Sequence, residues 1–177
     1  RHTMRRSVSP CREHTPIDTV GKSAYNGRKM GKAEGDIMMI STKGRYALRV
    51  MVDLAEHREE GYIPLRTVAQ RQCISQKYLE SIMTVLSKAG YVDGTHGRGG
   101  GYRLVREPEE YHIGPLLRLI EGPLAPVQCV SDGGAPCEMA EECRTRSFWA
   151  GLDQVIRGYL DKATLRQLMA EETGKGN

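Results

Sequence analysis

The chain has 177 residues, 39% of them apolar, 27% charged and 6% aromatic, with a formal net charge of +4. That suffices for one domain of usual size plus an appendage, while no run approaches the eighteen or so apolar residues of a membrane span and no apolar stretch resembles a secretory signal. A cytoplasmic location is expected, and in that reducing compartment five cysteines read as thiols or metal ligands rather than as a disulfide framework.

Residues 1–37 hold eight Lys/Arg and four Asp/Glu, which is the whole of the net charge. They lack periodicity and are rich in Arg, Ser, Gly and Pro, the composition of a disordered leader. A sharper reading puts the true start at Met38 or Met39, with Glu34-Gly35 translated from a purine-rich ribosome-binding site. Cys11 falls in this leader and is assigned no role. Beyond it, residues 41–106 carry eleven basic and six acidic side chains, and 107–177 carry seven and twelve. A basic half precedes an acidic half, which suits a nucleic-acid face in the first.

From Thr42, apolar Tyr46, Val50, Met51 and Leu54 recur at helical spacing up to about Gly61. Pro64 opens a short second helix through Val68 and Ala69, and after Gln72-Cys73-Ile74 the N-cap Ser75 opens a third. Leu79, Ile82, Met83 and Leu86 form one face of that third helix, and Gly90 stops it. Gln76, Lys77, Tyr78, Glu80 and Ser81 are left to face outward near its start. Two short helices around a tight turn, about residues 65–88, make a helix-turn-helix whose second helix offers its first turn to the major groove. Cys73 is expected to be a small buried side chain in the turn.

Tyr91-Val92 and Tyr102-Arg103-Leu104 are strand-like and flank a loop containing five glycines, which reads as a wing over about 91–104 with His96 and Arg98 near its tip. The loop lacks the Lys-Ser/Thr ending of a phosphate-binding loop and does not run from a strand into a helix, so nucleotide binding is disfavoured. The fold class expected is therefore mainly α with a small β-wing. Its segments are a winged helix-turn-helix domain over 38–106, a connecting helix and loop over 107–128, a cysteine loop over 129–146, and a long helix with a C-terminal segment over 147–170. Lys43, Arg45, Lys77 and Arg98 are candidates for phosphate or groove contacts. Ser75, Gln76, Lys77, Tyr78, Glu80 and His96 complete the candidate DNA-binding set.

Cys129, Cys137 and Cys143 lie in one short loop rich in Gly, Pro and acid, just before an aromatic-led helix. Thiolates are soft donors that suit an iron-sulfur cluster or zinc rather than magnesium or calcium, and either site ordinarily needs a fourth ligand. Asp132, Glu138, Glu141 and Glu142 are nearby candidates for it, beside an exogenous thiol or a residue from a partner subunit. His57, His96 and His112 sit apart from any nucleophile, so no catalytic constellation is evident and an enzyme is not expected.

These residues resemble the Rrf-type bacterial transcription regulators, most closely the iron-sulfur cluster regulators of the IscR type, over nearly all of 38–177. The carriers are Ser41-Thr42-Lys43-Gly44-Arg45-Tyr46-Ala47, Ile74-Ser75 with Tyr78-Leu79-Glu80, Gly99-Gly100-Gly101-Tyr102, the three cysteines and Trp149. Glu121 through Val127 is also similar to the CymR type, which carries no cluster. The resemblance implies a homodimer with a long dimerisation helix, double-stranded DNA as partner, and a repressor or activator that carries an iron-sulfur cluster, 2Fe-2S favoured over 4Fe-4S. It also implies that Glu80 helps to discriminate DNA site classes. Arg146 stands where the IscR type has its fourth, histidine ligand, and Arg45 stands where a nitric-oxide-sensing relative has an aspartate. An arginine offers donors only and cannot ligate, so the fourth ligand is open. The competing expectations are a cluster-free repressor of cysteine or sulfur genes, controlled by thiol oxidation or by a cysteine-metabolism enzyme, and a structural zinc scaffold.

Overall fold

The computed structural model describes residues 40–97, 99–134 and 137–170. The leader, Cys11, the proposed starts Met38 and Met39, Arg98 and Pro136 lie outside them. The main elements are α1 (Thr42–Glu56), α2 (Leu65–Gln72), α3 (Gln76–Lys88), β1 (Val92–Thr95), β2 (Gly101–Leu104), α4 (Ile113–Glu121), α5 (Arg146–Lys162) and α6 (Leu165–Ala170). Short 3₁₀ turns occupy Arg58–Glu60, Pro108–Glu110 and Gln128–Val130. The result is a mainly helical winged helix-turn-helix, as expected.

The core lies where three amphipathic helices meet. Val50, Met51 and Leu54 of α1, Val68 of α2, and Leu79, Ile82, Met83 and Leu86 of α3 are fully buried together with Val92, Leu116 and Leu165. Each such side chain contributes about 1.5–3 kcal/mol relative to leaving it in water. A smaller cluster of Ile113, Leu117 and Leu124 packs α4 toward Leu160 and Leu168.

Helix ends follow local chemistry. Ser41 caps α1, its hydroxyl accepting from the Lys43 and Gly44 N–H groups, and it donates to Glu121 Oε1 at 2.8 Å. The carboxylate of α4's last residue thereby joins the start of α1, next to the positive end of that helix's dipole. The sequence pattern predicted the first helix to run to about Gly61. The α-helix instead stops at Glu56, and the chain tightens into the Arg58–Glu60 turn before Gly61 reverses it at φ +76°.

A buried ion pair ties α1 to α2. Asp53, only 1% exposed, receives Arg71 Nε at 3.0 Å and Nη2 at 2.6 Å, and Gln72 Nε2 at 2.9 Å. Satisfied in this way, a charge can sit among apolar neighbours, and the pairing joins α2 to α1.

The β1–β2 hairpin is antiparallel, pairing Val92 with Leu104 and Thr95 with Gly101. A third short segment joins it, because Ile63 and Tyr102 exchange both backbone hydrogen bonds at 2.9 Å. Gly101 makes this approach feasible, since a Cβ there would overlap the Ile63 carbonyl. At the wing's base the buried Tyr111 hydroxyl accepts from the Val105 and Arg106 N–H groups at 3.0 Å and donates to the Tyr91 carbonyl at 2.8 Å. Burial pushes the Tyr111 phenol up from its ordinary value, so it stays protonated and able to donate.

Candidate nucleic-acid interface and cysteine loop

The turn between α2 and α3 is closed by backbone geometry. Cys73 takes a left-handed conformation at φ +52°, the Ile74 N–H returns to the Ala69 carbonyl at 3.1 Å, and the Cys73 N–H bonds the Gln70 carbonyl at 3.4 Å. This is the double closure that more often recruits glycine. The sequence expectation for Cys73 is corrected: it is exposed, because the left-handed turn carries its side chain off the core. Ser75 then caps α3, its hydroxyl accepting from the Tyr78 N–H at 3.3 Å, so its side chain serves the helix start as well as lying on the candidate face.

With α3 anchored by Leu79, Ile82, Met83 and Leu86, the residues Gln76, Lys77, Tyr78 and Glu80 are all exposed around its first turns. Gln76 donates its amide to Glu80 Oε1 at 3.1 Å. Tyr78 meets Tyr46 of α1 edge to face, with ring centroids 5.6 Å apart. Arg49 lies over the Tyr46 ring at 5.4 Å, and its Nε holds Gln72 Oε1 at 3.1 Å. Tyr46, Arg49 and Gln72 thus brace the outward face of α3 from behind. Sequence reasoning placed Tyr46 in the helical pattern but gave Arg49 no role, although its position one turn after Tyr46 was the available signal.

Lys43 and Arg45 stand at the start of α1; Arg45 is exposed and its Nη2 donates to Thr42 Oγ1 at 3.0 Å. His96 is exposed at the wing tip, and Gly97 and Gly99 beside it take positive φ values of +95° and +83°. A second polar cluster on the hairpin went unread in the sequence. Asp93 accepts from the Tyr62 hydroxyl at 2.5 Å and from Arg103 at 3.1 Å, and Arg103 covers the Tyr62 ring at 4.5 Å. The Tyr62 hydroxyl, and then Arg103, hold the Asp93 carboxyl below its usual range.

Residues 40–171 match the family described as Rrf2, iron-dependent transcriptional regulator. The chain belongs to the Rrf2 family. It is a DNA-binding transcription regulator of that family, and its relatives agree in sequence and in fold. The HTH-type transcriptional regulator IscR of Aliivibrio salmonicida is 37% identical over 134 residues, covering 76% of this chain and 79% of the relative. CymR of Bacillus subtilis is 36% identical over 138 residues, covering 78% and 94%. The structure of CymR, the global cysteine regulator of B. subtilis, superposes with a TM-score of 0.64 at 34% identity over 76% of this chain and 98% of that one. T. potens IscR does so at 0.61 and 34%, over 78% and 92%.

In this Rrf2 regulator Cys129 is half-buried in the Gln128–Val130 turn, Cys137 is exposed, and Cys143 is half-buried ahead of α5. All three are free thiols. Among the described residues no three His, Cys, Asp or Glu side chains converge closely enough to enclose a metal ion, so the loop would have to tighten to use all three sulfurs. Cys143 Sγ lies 3.4 Å from the Thr145 hydroxyl. That hydroxyl, followed by the Thr145 and Arg146 backbone, lowers the thiol's pKa and favours the thiolate that soft metals bind. As a donor set the cysteines suit iron-sulfur or zinc chemistry. Of the acidic candidates for a fourth ligand, Asp132 is paired with Arg157 of α5, whereas Glu138, Glu141 and Glu142 are exposed.

Along α5, Phe148, Val155 and Tyr159 are 64%, 69% and 72% exposed. Their spacing puts them on one face of the helix, an apolar stripe left largely uncovered among the described residues. No helix among the described residues is long and apolar enough to cross a membrane.

Proposed function

We propose that the protein is a homodimeric, sequence-specific DNA-binding regulator whose choice of sites is controlled by an iron-sulfur cluster held by Cys129, Cys137 and Cys143. Its targets on this reading are iron-sulfur cluster assembly or sulfur metabolism genes. The observation that carries the proposal is the order of parts: a braced recognition helix beside a glycine wing, then three free thiols in the segment leading directly into α5. Gln76, Lys77, Tyr78 and Glu80 face base edges, while Lys43, Arg45, Lys77, His96 and Arg98 meet phosphates or the minor groove. Ser75 contributes as the cap that orients the first turn of α3.

The uncovered stripe on α5 supports pairing with a second copy, which would set the separation of the two recognition helices. Half-sites on one DNA face lie roughly 34 Å apart, so a shift of a few ångströms transmitted from the thiol loop into α5 would misalign one reading head. The cluster, when bound, would supply redox- and iron-dependent occupancy, and the 2Fe-2S form is favoured with 4Fe-4S as the alternative. A regulator of this kind needs no catalytic residue and acts in the cytoplasm.

A second reading is favoured by the lowered Cys143 thiol and by similarity to CymR: a cluster-free repressor controlled by thiol oxidation or by a cysteine-metabolism enzyme. Anaerobic purification separates the two. Iron and sulfide in matching amounts, with visible absorption lost in Cys137→Ser, supports the cluster. A colourless protein that resists reconstitution yet binds a palindromic duplex supports the second reading. Failure to bind any duplex would overturn both.

A further inference from the structure

A pocket of about 200 Å³ lies between α4, the loop that follows it, and the cysteine loop. It is lined by Arg118, Gly122, Pro123, Leu124, Asp132 and Arg157. Two guanidiniums from different helices therefore share one small cavity with one carboxylate. Arg157 is fixed from behind, its Nε donating to Asp153 Oδ2 at 2.6 Å, and Asp153 is only 6% exposed. The other oxygen of Asp153 is buried without a hydrogen-bond partner among the described residues. The buried charge consequently depends on Arg157, and moving that guanidinium away would strand it. Arg118 donates through Nη2 to Asp161 Oδ1 at 2.6 Å, in a pair that is more open to water.

The opposite side of the pocket is built differently. Asp132 pairs with Arg157 Nη1, yet its side chain is 78% exposed and belongs to a loop. Hydrogen bonding to Arg157, and the nearby charge of Arg118, hold its carboxyl below the ordinary range. An exposed ion pair of this type is weak and exchanges readily with a competing anion. One face of the pocket thus presents two guanidiniums, each already paired with a carboxylate behind it, and the further anion now on Arg157 is replaceable.

We propose that this pocket is a binding site for a small monocarboxylate, with Asp132 serving as the internal occupant that the ligand displaces. Planar guanidiniums match a carboxylate through paired N–H donors. The volume corresponds to roughly six or seven water-sized spaces, and Pro123 and Leu124 form an apolar wall that suits a short alkyl chain. Displacement breaks the Asp132–Arg157 tie between α5 and the segment that follows Cys129, so ligand binding loosens one link between the thiol loop and that helix while the Gln128–Val130 turn stays packed on it. This holds whether or not the thiols carry a cluster.

Trp149, the single tryptophan, lies one helical turn before Asp153 and reports on this part of α5. The full chain is titrated with sodium butyrate at ionic strength held constant with chloride, following Trp149 emission and, independently, calorimetric heat. The expected result is saturable binding that tightens about fivefold in Asp132→Ala, where the internal competitor is gone. Binding is lost in Arg118→Gln, a variant that leaves the Arg157–Asp153 pair intact. Butyrate heats no larger than those of chloride, equal affinity in Asp132→Ala, or inorganic sulfate competing as well as butyrate would each overturn the proposal.

Discussion

Replacing Arg71 by alanine tests whether the buried pair between α1 and α2 holds the reading head together. In the native chain the Asp53 carboxylate is 1% exposed and takes both Arg71 hydrogen bonds plus one from Gln72. Removing Arg71 leaves that buried charge with the Gln72 amide as its side-chain hydrogen-bond donor and His57 Nδ1 4.0 Å away, and breaking such a pair costs about 3–5 kcal/mol. At roughly 2–4 °C per kcal/mol for a domain of this size, Tm should fall by about 10–15 °C. Thermal denaturation followed by far-UV circular dichroism measures it directly. Joint replacement by Asp53→Leu and Arg71→Met removes both charges with similar volume and should recover most of the loss. A Tm change under about 3 °C in Arg71→Ala, or a double variant no better than the single one, would refute the view that the charge itself, rather than lost packing, decides the effect.

Tyr111→Phe removes the acceptor of two backbone N–H groups and the donor to Tyr91, and should cost about 1–3 kcal/mol in urea denaturation. Gly101→Ala pushes a methyl into the Ile63 carbonyl, so the three-segment pairing should open and amide exchange of Tyr102 should accelerate at least tenfold. Lys77→Ala, on the exposed start of α3, should lower the slope of log K against log salt by about 0.9 if Lys77 neutralises one phosphate, and an unchanged slope would remove it from the phosphate contacts. Val155→Glu on the exposed stripe of α5 should shift sedimentation toward monomer without lowering helix content, because the side chain is 69% exposed among the described residues.

Periodicity and caps made most of the reading head legible. Ser75 caps the helix it precedes, Gly90 ends α3 at φ +70°, and the apolar positions predicted for α3 are its buried face, whereas the cap Ser41 on α1 went unread. The third segment of the wing was hidden, because Ile63 and Tyr102 lie far apart in sequence and Ile63 has no alternating pattern around it. The contact of Tyr46 with Tyr78 was hidden for the same reason, although the placing of Arg49 one turn after Tyr46 was visible. At the cysteine loop the donor types were legible, whereas the capture of Asp132 by Arg157 was not.

Sequence by itself determined the three helices of the reading head to within a turn, where the wing turns, which residues crowd the start of the recognition helix, and that three thiols share one loop. These are local matters of backbone preference, side-chain period and spacing, which act between residues a few positions apart. Only tertiary structure decided which charges are buried and with whom: Asp53 with Arg71, and Asp153 with an Arg157 that also reaches Asp132. Those pairings depend on how helices cross and on which polar atoms are removed from water together, and neither is encoded in the spacing of residues along the chain.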